Sequence, residues 1–209
     1  NVNTNIASTY FIQYSVTDSD GNITQAQRTV QVVDTTKPVI TIANATSSVE
    51  ALTTYIDEGG ATATDNYDLD ISDEIVVTNN VNTSVLGTYT VDFDVTDSSG
   101  NAANTVSRLV TVVDTEIPVI SLTGDESVSI EQGASYSDDG ATASDNYDGD
   151  ISSSIITTNG VNTASIGTYT VAYNVSDSSA NDAVEVVRTV TVGPDAVSYT
   201  HLTLPTSRS

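Results

Sequence analysis

The sequence predicts an all-β chain made of tandem sandwich units, and three observations carry that prediction. Thr, Val, Ser, Asp and Asn dominate while the helix formers Lys, Glu and Leu are scarce, a composition that favours strands and turns. The stretch GTYTVDFDVTDSSGN at 87–101 alternates apolar and polar residues. That stretch then recurs as GTYTVAYNVSDSSAN at 167–181 and more loosely as STYFIQYSVTDSDGN at 8–22, the mark of a repeat array.

In the first of these stretches Tyr89, Val91, Phe93 and Val95 fall on one side and Thr88, Thr90, Asp92 and Asp94 on the other. A period of two is that of a strand with one wet face. Asp97-Ser98-Ser99-Gly100-Asn101 then ends it in a turn. The copies are offset by 80 residues, since DNYDLDIS begins at Asp65 and DNYDGDIS at Asp145. Boundaries fall at VVDTTKPVI (32–40) and VVDTEIPVI (112–120), where Pro38 and Pro118 open the next strand. The expected organisation is therefore the second half of one repeat at 1–34, full repeats at 35–114 and 115–194, and a tail at 195–209. Beginning at Asn1 inside a repeat, the chain reads as a piece of something longer, and the lack of a leader says nothing about export.

Within the middle copy, 38–42 and 47–56 read as the first two strands, with Val49 and Tyr55 in the core. GATATDNYDLD (60–70) reads mostly as loop and 75–78 as a third strand. The turn Asn79-Asn80 becomes Asn159-Gly160 in the last copy, a hairpin signal. The strand at 88–96 and a last one around 105–113, with Val110 and Val112 inward, complete the unit. Short strands separated by turn signals in a unit of this length indicate an immunoglobulin-like sandwich of two sheets, without the Cys and Trp of antibody cores. Tyr89 and Tyr169 stand where a tyrosine corner would. Linkers this short are expected to stack neighbouring repeats end to end with limited freedom.

Charge narrows the function classes. Five basic residues against 28 acidic ones give a net charge of −23, which repels nucleic acid and anionic membrane surfaces. No apolar run approaches the roughly 20 residues that cross a bilayer. The carboxylate excess has two readings, solubility in a salty setting or loops that bind cations. Three of the five basic residues, Arg28, Arg108 and Arg188, recur at the head of the last strand. Each is expected to fork onto a carboxylate of its own domain. VSYTHLTLPTSRS (197–209) departs from the pattern and resembles translated sequencing-adapter read-through; the lone histidine, His201, lies in it and is set aside.

No catalytic activity is expected. There is no Cys, and Lys37 sits in a linker, so Ser-His and Cys-His pairs are unavailable. Carboxylate pairs for sugar hydrolysis are present by residue type, but a small repeated sandwich has little room for a cleft. Lys-Asn isopeptide bonds would need a buried Lys in every copy.

Metal binding has a pattern behind it. Asp145, Asn146, Asp148 and Asp150 place oxygens along a Gly-containing loop, and Asp65, Asn66, Asp68 and Asp70 repeat them, with Leu69 in place of the glycine. Oxygen ligands on flexible loops suit Ca2+ better than Mg2+. The glutamate that closes an EF-hand loop is lacking, and further ligands would come from Asp97, Asp177, Asp34 or Asp114. The competing reading is that these Asp and Asn residues cap turns and hydrate the loop.

DTTKPVI, GATATDNYDLDIS, VNTSVLGTYTV, VTDSSGNAANTV and VTVVD, in that order, resemble the bacterial immunoglobulin-like repeats of surface proteins and insecticidal crystal toxins, relatives of hyalin repeats. The resemblance covers 1–194 and implies a seven-stranded sandwich, used in tandem as a spacer or adhesive module on exported, extracellular or cell-surface proteins. It supplies no catalytic residues. Two functions are expected: a spacer in an adhesin-type surface array, stiffened by calcium, or an accessory module that contacts a surface glycan or a protein. The partners are then neighbouring repeats, with a glycan or protein in the second case. Tyr67 and Tyr147, the ring-bearing loop residues, discriminate: exposed coplanar rings favour binding, and rings tucked into the sandwich favour the spacer.

Overall fold

The computed structural model describes residues 1–57 and 60–195; the rest of the tail expected at 195–209 lies outside the described residues. The chain is all-β and divides into two compact units, Asn1–Val113 and a second that begins at Asp114.

The first unit opens with a hairpin. Strands β1 (Ser8–Thr17) and β2 (Ile23–Val32) pair antiparallel from Ser8 opposite Val32 to Thr17 opposite Ile23. Period-two alternation makes these strands, and the Asp18–Asn22 turn joins them: Asp18 Oδ1 accepts from the amides of Asp20 (2.9 Å) and Asn22 (2.8 Å). Tyr14 and Val16 are exposed here, whereas their counterparts Phe93 and Val95 in the next repeat are buried.

Seven strands follow in the same unit: β3 (Val39–Ile42), β4 (Thr46–Glu50), β5 (Ala61–Asp65), β6 (Leu69–Asp70), β7 (Val76–Asn79), β8 (Gly87–Asp94) and β9 (Val106–Val113). They form two sheets, ordered β3-β5-β6 and β4-β9-β8-β7, with β4 parallel to β9 and the other pairs antiparallel. The facing sides enclose Ile40, Ala63, Ile71, Val91, Phe93, Val95 and Val110. Burying such side chains contributes about 1.5–3 kcal/mol each for the larger ones.

The second unit repeats this arrangement with β10 (Val119–Leu122), β11 (Ser127–Glu131), β12 (Ala141–Asp145), β13 (Gly149–Asp150), β14 (Ile156–Asn159), β15 (Gly167–Asn174) and β16 (Val186–Gly193). Its sheets are β10-β12-β13 and β11-β16-β15-β14, around Ile120, Ala143, Val171, Tyr173, Val175 and Val190.

Three local expectations are corrected. The second strand is shorter than 47–56, because after Glu50 the chain turns: Leu52 adopts φ 60° and Thr53 Oγ1 donates to the Glu50 carbonyl at 2.6 Å. Residues 61–65, read as loop, form β5, with Ala63 fully buried opposite Ile40. Alanine's low strand propensity hid an alternation that puts small side chains where the two sheets meet. Asn159-Gly160 does not close a tight turn either: β14 ends at Asn159 and its antiparallel partner β15 begins only at Gly167. Leu69 takes the same left-handed conformation as Gly149, φ 66° against 72°. The middle copy thus makes the same turn despite a Cβ that costs about 1–2 kcal/mol in this region.

Two devices recur in each full repeat. Tyr89 Oη donates to the Val85 carbonyl at 2.8 Å and Tyr169 Oη to that of Ser165 at 2.9 Å, which are tyrosine corners, and Tyr10 repeats the contact to Ile6 at 3.1 Å. The second device is a buried arginine. Arg108 is ion-paired to Asp57, lies 5.5 Å from the Phe93 ring centre, and donates from Nε to the Asn44 carbonyl at 2.8 Å. Arg188 is ion-paired to Asp138, donates from Nε to the Asp125 carbonyl at 2.9 Å, and lies 5.9 Å from the Tyr173 ring centre. The expected intradomain carboxylates are thus Asp57 and Asp138, whereas Arg28 in the hairpin is exposed.

Candidate metal centre

Each unit gathers three aspartates. In the first unit Asp34, Asp65 and Asp97 each bring a carboxylate oxygen within 4.8 Å of the other two, and in the second Asp114, Asp145 and Asp177 do the same. The backbone dictates both sets. Asp34 follows β2 and Asp114 follows β9, in the segments that enter each repeat. Asp65 and Asp145 end β5 and β12 on the inward side, two residues after buried Ala63 and Ala143. Asp97 and Asp177 open the turns after β8 and β15.

The hydrogen bonds hold these carboxylates in an asymmetric way. Asp65 Oδ1 accepts from the amides of Tyr67 (2.7 Å) and Asp68 (3.1 Å), and Asp145 Oδ1 from those of Tyr147 (2.8 Å) and Asp148 (2.9 Å). Their Oδ2 atoms are buried and have no hydrogen-bond partner. Asp34 shows the same division: Oδ1 accepts from the Thr36 amide at 3.1 Å and Oδ2 is buried without a partner. Both carboxylate oxygens of Asp114, a residue only 6% exposed, are buried and lack a hydrogen bond of ordinary geometry, with the Ser179 hydroxyl and the Glu116 amide as the donors beside them. Burial, with the charges of Asp145 and Asp177 beside it, pushes the Asp114 carboxyl above its ordinary pKa.

Asp97 is held differently. Its Oδ1 accepts from the amides of Ser99 (3.0 Å) and Asn101 (2.7 Å), and Asn101 Nδ2 donates to its Oδ2 at 2.8 Å and to the Asp34 carbonyl at 3.3 Å. Burial alone would raise its pKa, but these hydrogen bonds outweigh it and hold the group below the ordinary value. Asn181 ties Asp177 Oδ2 (2.8 Å) to the Asp114 carbonyl (3.2 Å) in the same manner.

Of the carboxylates expected as ligands from the DNYD loops, Asp65 and Asp145 enter the triads. The others are engaged elsewhere. Asp68 accepts from the amide (2.8 Å) and hydroxyl (2.7 Å) of Ser98, and Asp148 from those of Ser178 (2.7 and 2.8 Å). These contacts position the loops that carry Asp97 and Asp177. Asp70 accepts from the Ser72 amide (3.1 Å) and hydroxyl (2.6 Å), and Asp150 from those of Ser152 (3.0 and 2.6 Å), so both secure the short 3-10 turns Ser72–Glu74 and Ser152–Ser154. Asn66 and Asn146 are exposed at the loop tips. Asp34, Asp97, Asp114 and Asp177, the supplementary candidates, supply the remaining triad positions. Reading 61–65 as a strand would have separated inward Asp65 from Asp68 and Asp70 on sequence alone.

This two-sheet repeat with its tyrosine corners defines an immunoglobulin-like class of module. The chain belongs to the family described as "Bacterial surface protein, Ig-like domain", which matches residues 1–32, 41–112 and 120–192. Among curated proteins it is 30% identical over 195 residues to an uncharacterized 81.3 kDa protein of Acholeplasma phage L2, covering 85% of this chain and 25% of that one. It is 28% identical over 203 residues to the pesticidal crystal protein Cry22Aa of Bacillus thuringiensis, covering 94% and 27%. The chain therefore spans about a quarter of the length of these relatives. Among solved structures, the lipoprotein BT2262 of Bacteroides thetaiotaomicron is 25% identical with a TM-score of 0.34, covering 39% of this chain and 40% of that one. The M60 catalytic domain with CBM51 domains of Clostridium perfringens ZmpB is 15% identical with a TM-score of 0.44, covering 92% and 34%. Scores of this size add nothing to the family assignment.

Proposed function

We propose that this chain is a spacer segment of an exported bacterial surface protein of adhesin type. In this reading its repeats hold other modules away from the envelope, and cations at the aspartate triads keep it stiff. One observation carries the reading: residues that hold a sandwich together are identical or equivalent in the two full repeats. They are the core positions Val91 and Val171, the corners Tyr89 and Tyr169, and the buried Arg108 and Arg188. A module selected for shape repeats its framework, whereas a module selected for a reaction must also keep a cleft. Catalysis has no place in this reading. No helix among the described residues is long and apolar enough to cross a membrane.

The second reading, a glycan- or protein-binding module, turns on the loop tyrosines. Tyr67 is 37% exposed, and its hydroxyl accepts from the Ala7 amide at 3.3 Å, so its polar end is taken up within its own unit. Tyr147 is half-buried. A glycan array probed with the intact chain discriminates the two functions. The spacer reading expects no retained glycan; binding lost on Tyr67→Ala and Tyr147→Ala would replace it with the module reading.

A further inference from the structure

We propose that each aspartate triad is a calcium site, with one ion held by Asp34, Asp65 and Asp97 and a second by Asp114, Asp145 and Asp177. The spacing of the carboxylates is that of ligands around a shared centre: the nearest oxygens of all three lie within 4.8 Å of one another in both units. Proximity alone would be weak, since acidic clusters are common on an acidic protein. The independent observation is the state of the free oxygens. Oδ2 of Asp34, Asp65 and Asp145 and both carboxylate oxygens of Asp114 are buried with no hydrogen bond of ordinary geometry. A buried polar atom left unpaired is costly, and an ionised one more so. The arrangement nonetheless recurs with the same residue type at each position, 80 residues apart.

The division of labour within each carboxylate points the same way. One oxygen of Asp65 and of Asp145 is fixed by two backbone amides of the following turn, which leaves the other free. Asp97 and Asp177 are anchored through their own turns and through Asn101 and Asn181, whose amide nitrogens also hold the carbonyls of Asp34 and Asp114. The groups are thus positioned by the backbone before any ion arrives. The buried guanidinium groups do not supply the missing positive charge by these pairs, because Arg108 and Arg188 are ion-paired to Asp57 and Asp138.

The ligand chemistry selects the ion. The triads are all-oxygen, with neither thiolate nor imidazole, which disfavours zinc and softer metals. Three carboxylates suit the oxygen-rich shell of Ca2+, whereas Mg2+ surrenders its water shell reluctantly. Bound there, the ion ties the segment entering a repeat to β5 or β12 and to the turn after β8 or β15. In the first unit it also joins the exit of the hairpin to the sandwich that follows. This site deepens the spacer reading by naming what stiffens the chain, and the two are separable. An absence of binding would refute the ion while leaving a spacer.

The test is a titration of metal-stripped protein, residues 1–209, by calorimetry. A parallel terbium titration is read by sensitised luminescence from Tyr67 and Tyr147, which lie two residues beyond Asp65 and Asp145. Two calcium ions per chain are expected, with magnesium at least about tenfold weaker. D65N and D145N should each bind one, and the double variant none. Asparagine keeps the Oδ1 acceptor that the turn amides use, so these variants retain the turn, and circular dichroism checks it. D70N and D150N, outside the triads, should still bind two. No binding at millimolar calcium, two ions retained by D65N/D145N, or equal loss in D70N/D150N would overturn the assignment. Magnesium binding as tight as calcium would overturn the choice of ion. Unfolding of the asparagine variants would leave the wild-type stoichiometry to decide: two supports the proposal, and zero or one refutes it.

Discussion

Alanine in place of Asp138 is expected to destabilise the second unit by about 3–5 kcal/mol, the usual cost of leaving one member of a buried ion pair without its partner. Arg188 is fully buried, and besides Asp138 its donors reach neutral groups, backbone carbonyls and the hydroxyls of Tyr173 and Tyr136. Removing the carboxylate therefore strands a charge in the core and also deprives Tyr136 and Tyr173 of the acceptor they share. The matching Asp57→Ala change should cost less, because Phe93 replaces Tyr173 there and no second hydroxyl is orphaned. Urea unfolding followed unit by unit checks both. The double replacement Asp138→Leu with Arg188→Met should recover much of the loss, since an apolar pair of similar volume carries no stranded charge.

The same pair sets an acid limit. Burial would raise the Asp138 pKa, but hydrogen bonds from Tyr173, Tyr136 and Arg188 outweigh it and hold the carboxyl below its ordinary value of 3.8. A carboxyl depressed in the folded state contributes stability that is fully present above 3.8 and is lost as pH falls through the lower folded value. The D138A variant should lose that part of the wild-type acid dependence.

Asp114→Asn is expected to reverse its effect with the ion. In chelator, asparagine relieves the repulsion of a buried carboxylate beside Asp145 and Asp177, so the melting temperature of the second unit should rise. At calcium 100–1,000 times the dissociation constant, the wild type gains roughly 2.7–4.1 kcal/mol from an ion that binds only the folded state. The variant forgoes most of that gain and should melt below the wild type. Scanning calorimetry in chelator and in calcium reads both signs, and a variant less stable than wild type in both would argue that Asp114 is simply a structural residue.

These expectations rest on features that were unequally legible in the sequence. The strand read at 88–96 is plain in the sequence, because Val91, Phe93 and Val95 alternate with polar residues, and all three are buried. The recurrence of Arg108 and Arg188 in a chain poor in positive charge was enough to place them against carboxylates. Their particular partners were not legible, since Asp57 and Asp138 are brought to the arginines by pairing between strands distant in sequence. The triads were half legible. DNYD loops drew attention through their density of oxygen ligands, yet Asp65 is set apart from Asp68 and Asp70 only by the inward face of β5, and Ala-Thr-Ala-Thr does not look like a strand. The turn at Leu69 shows the converse, a backbone conformation held by its surroundings against the preference of the residue in it.

The proposed spacer function requires the two full repeats to unfold as independent sandwiches in series. Pulling the chain from its ends in a single-molecule force experiment tests it most directly. Two separate unfolding events are expected, each releasing a contour of at most about 27 nm from the roughly 75 residues of one sandwich at up to 3.6 Å per residue, and a higher rupture force in calcium than in chelator. A single event releasing both repeats together would contradict it.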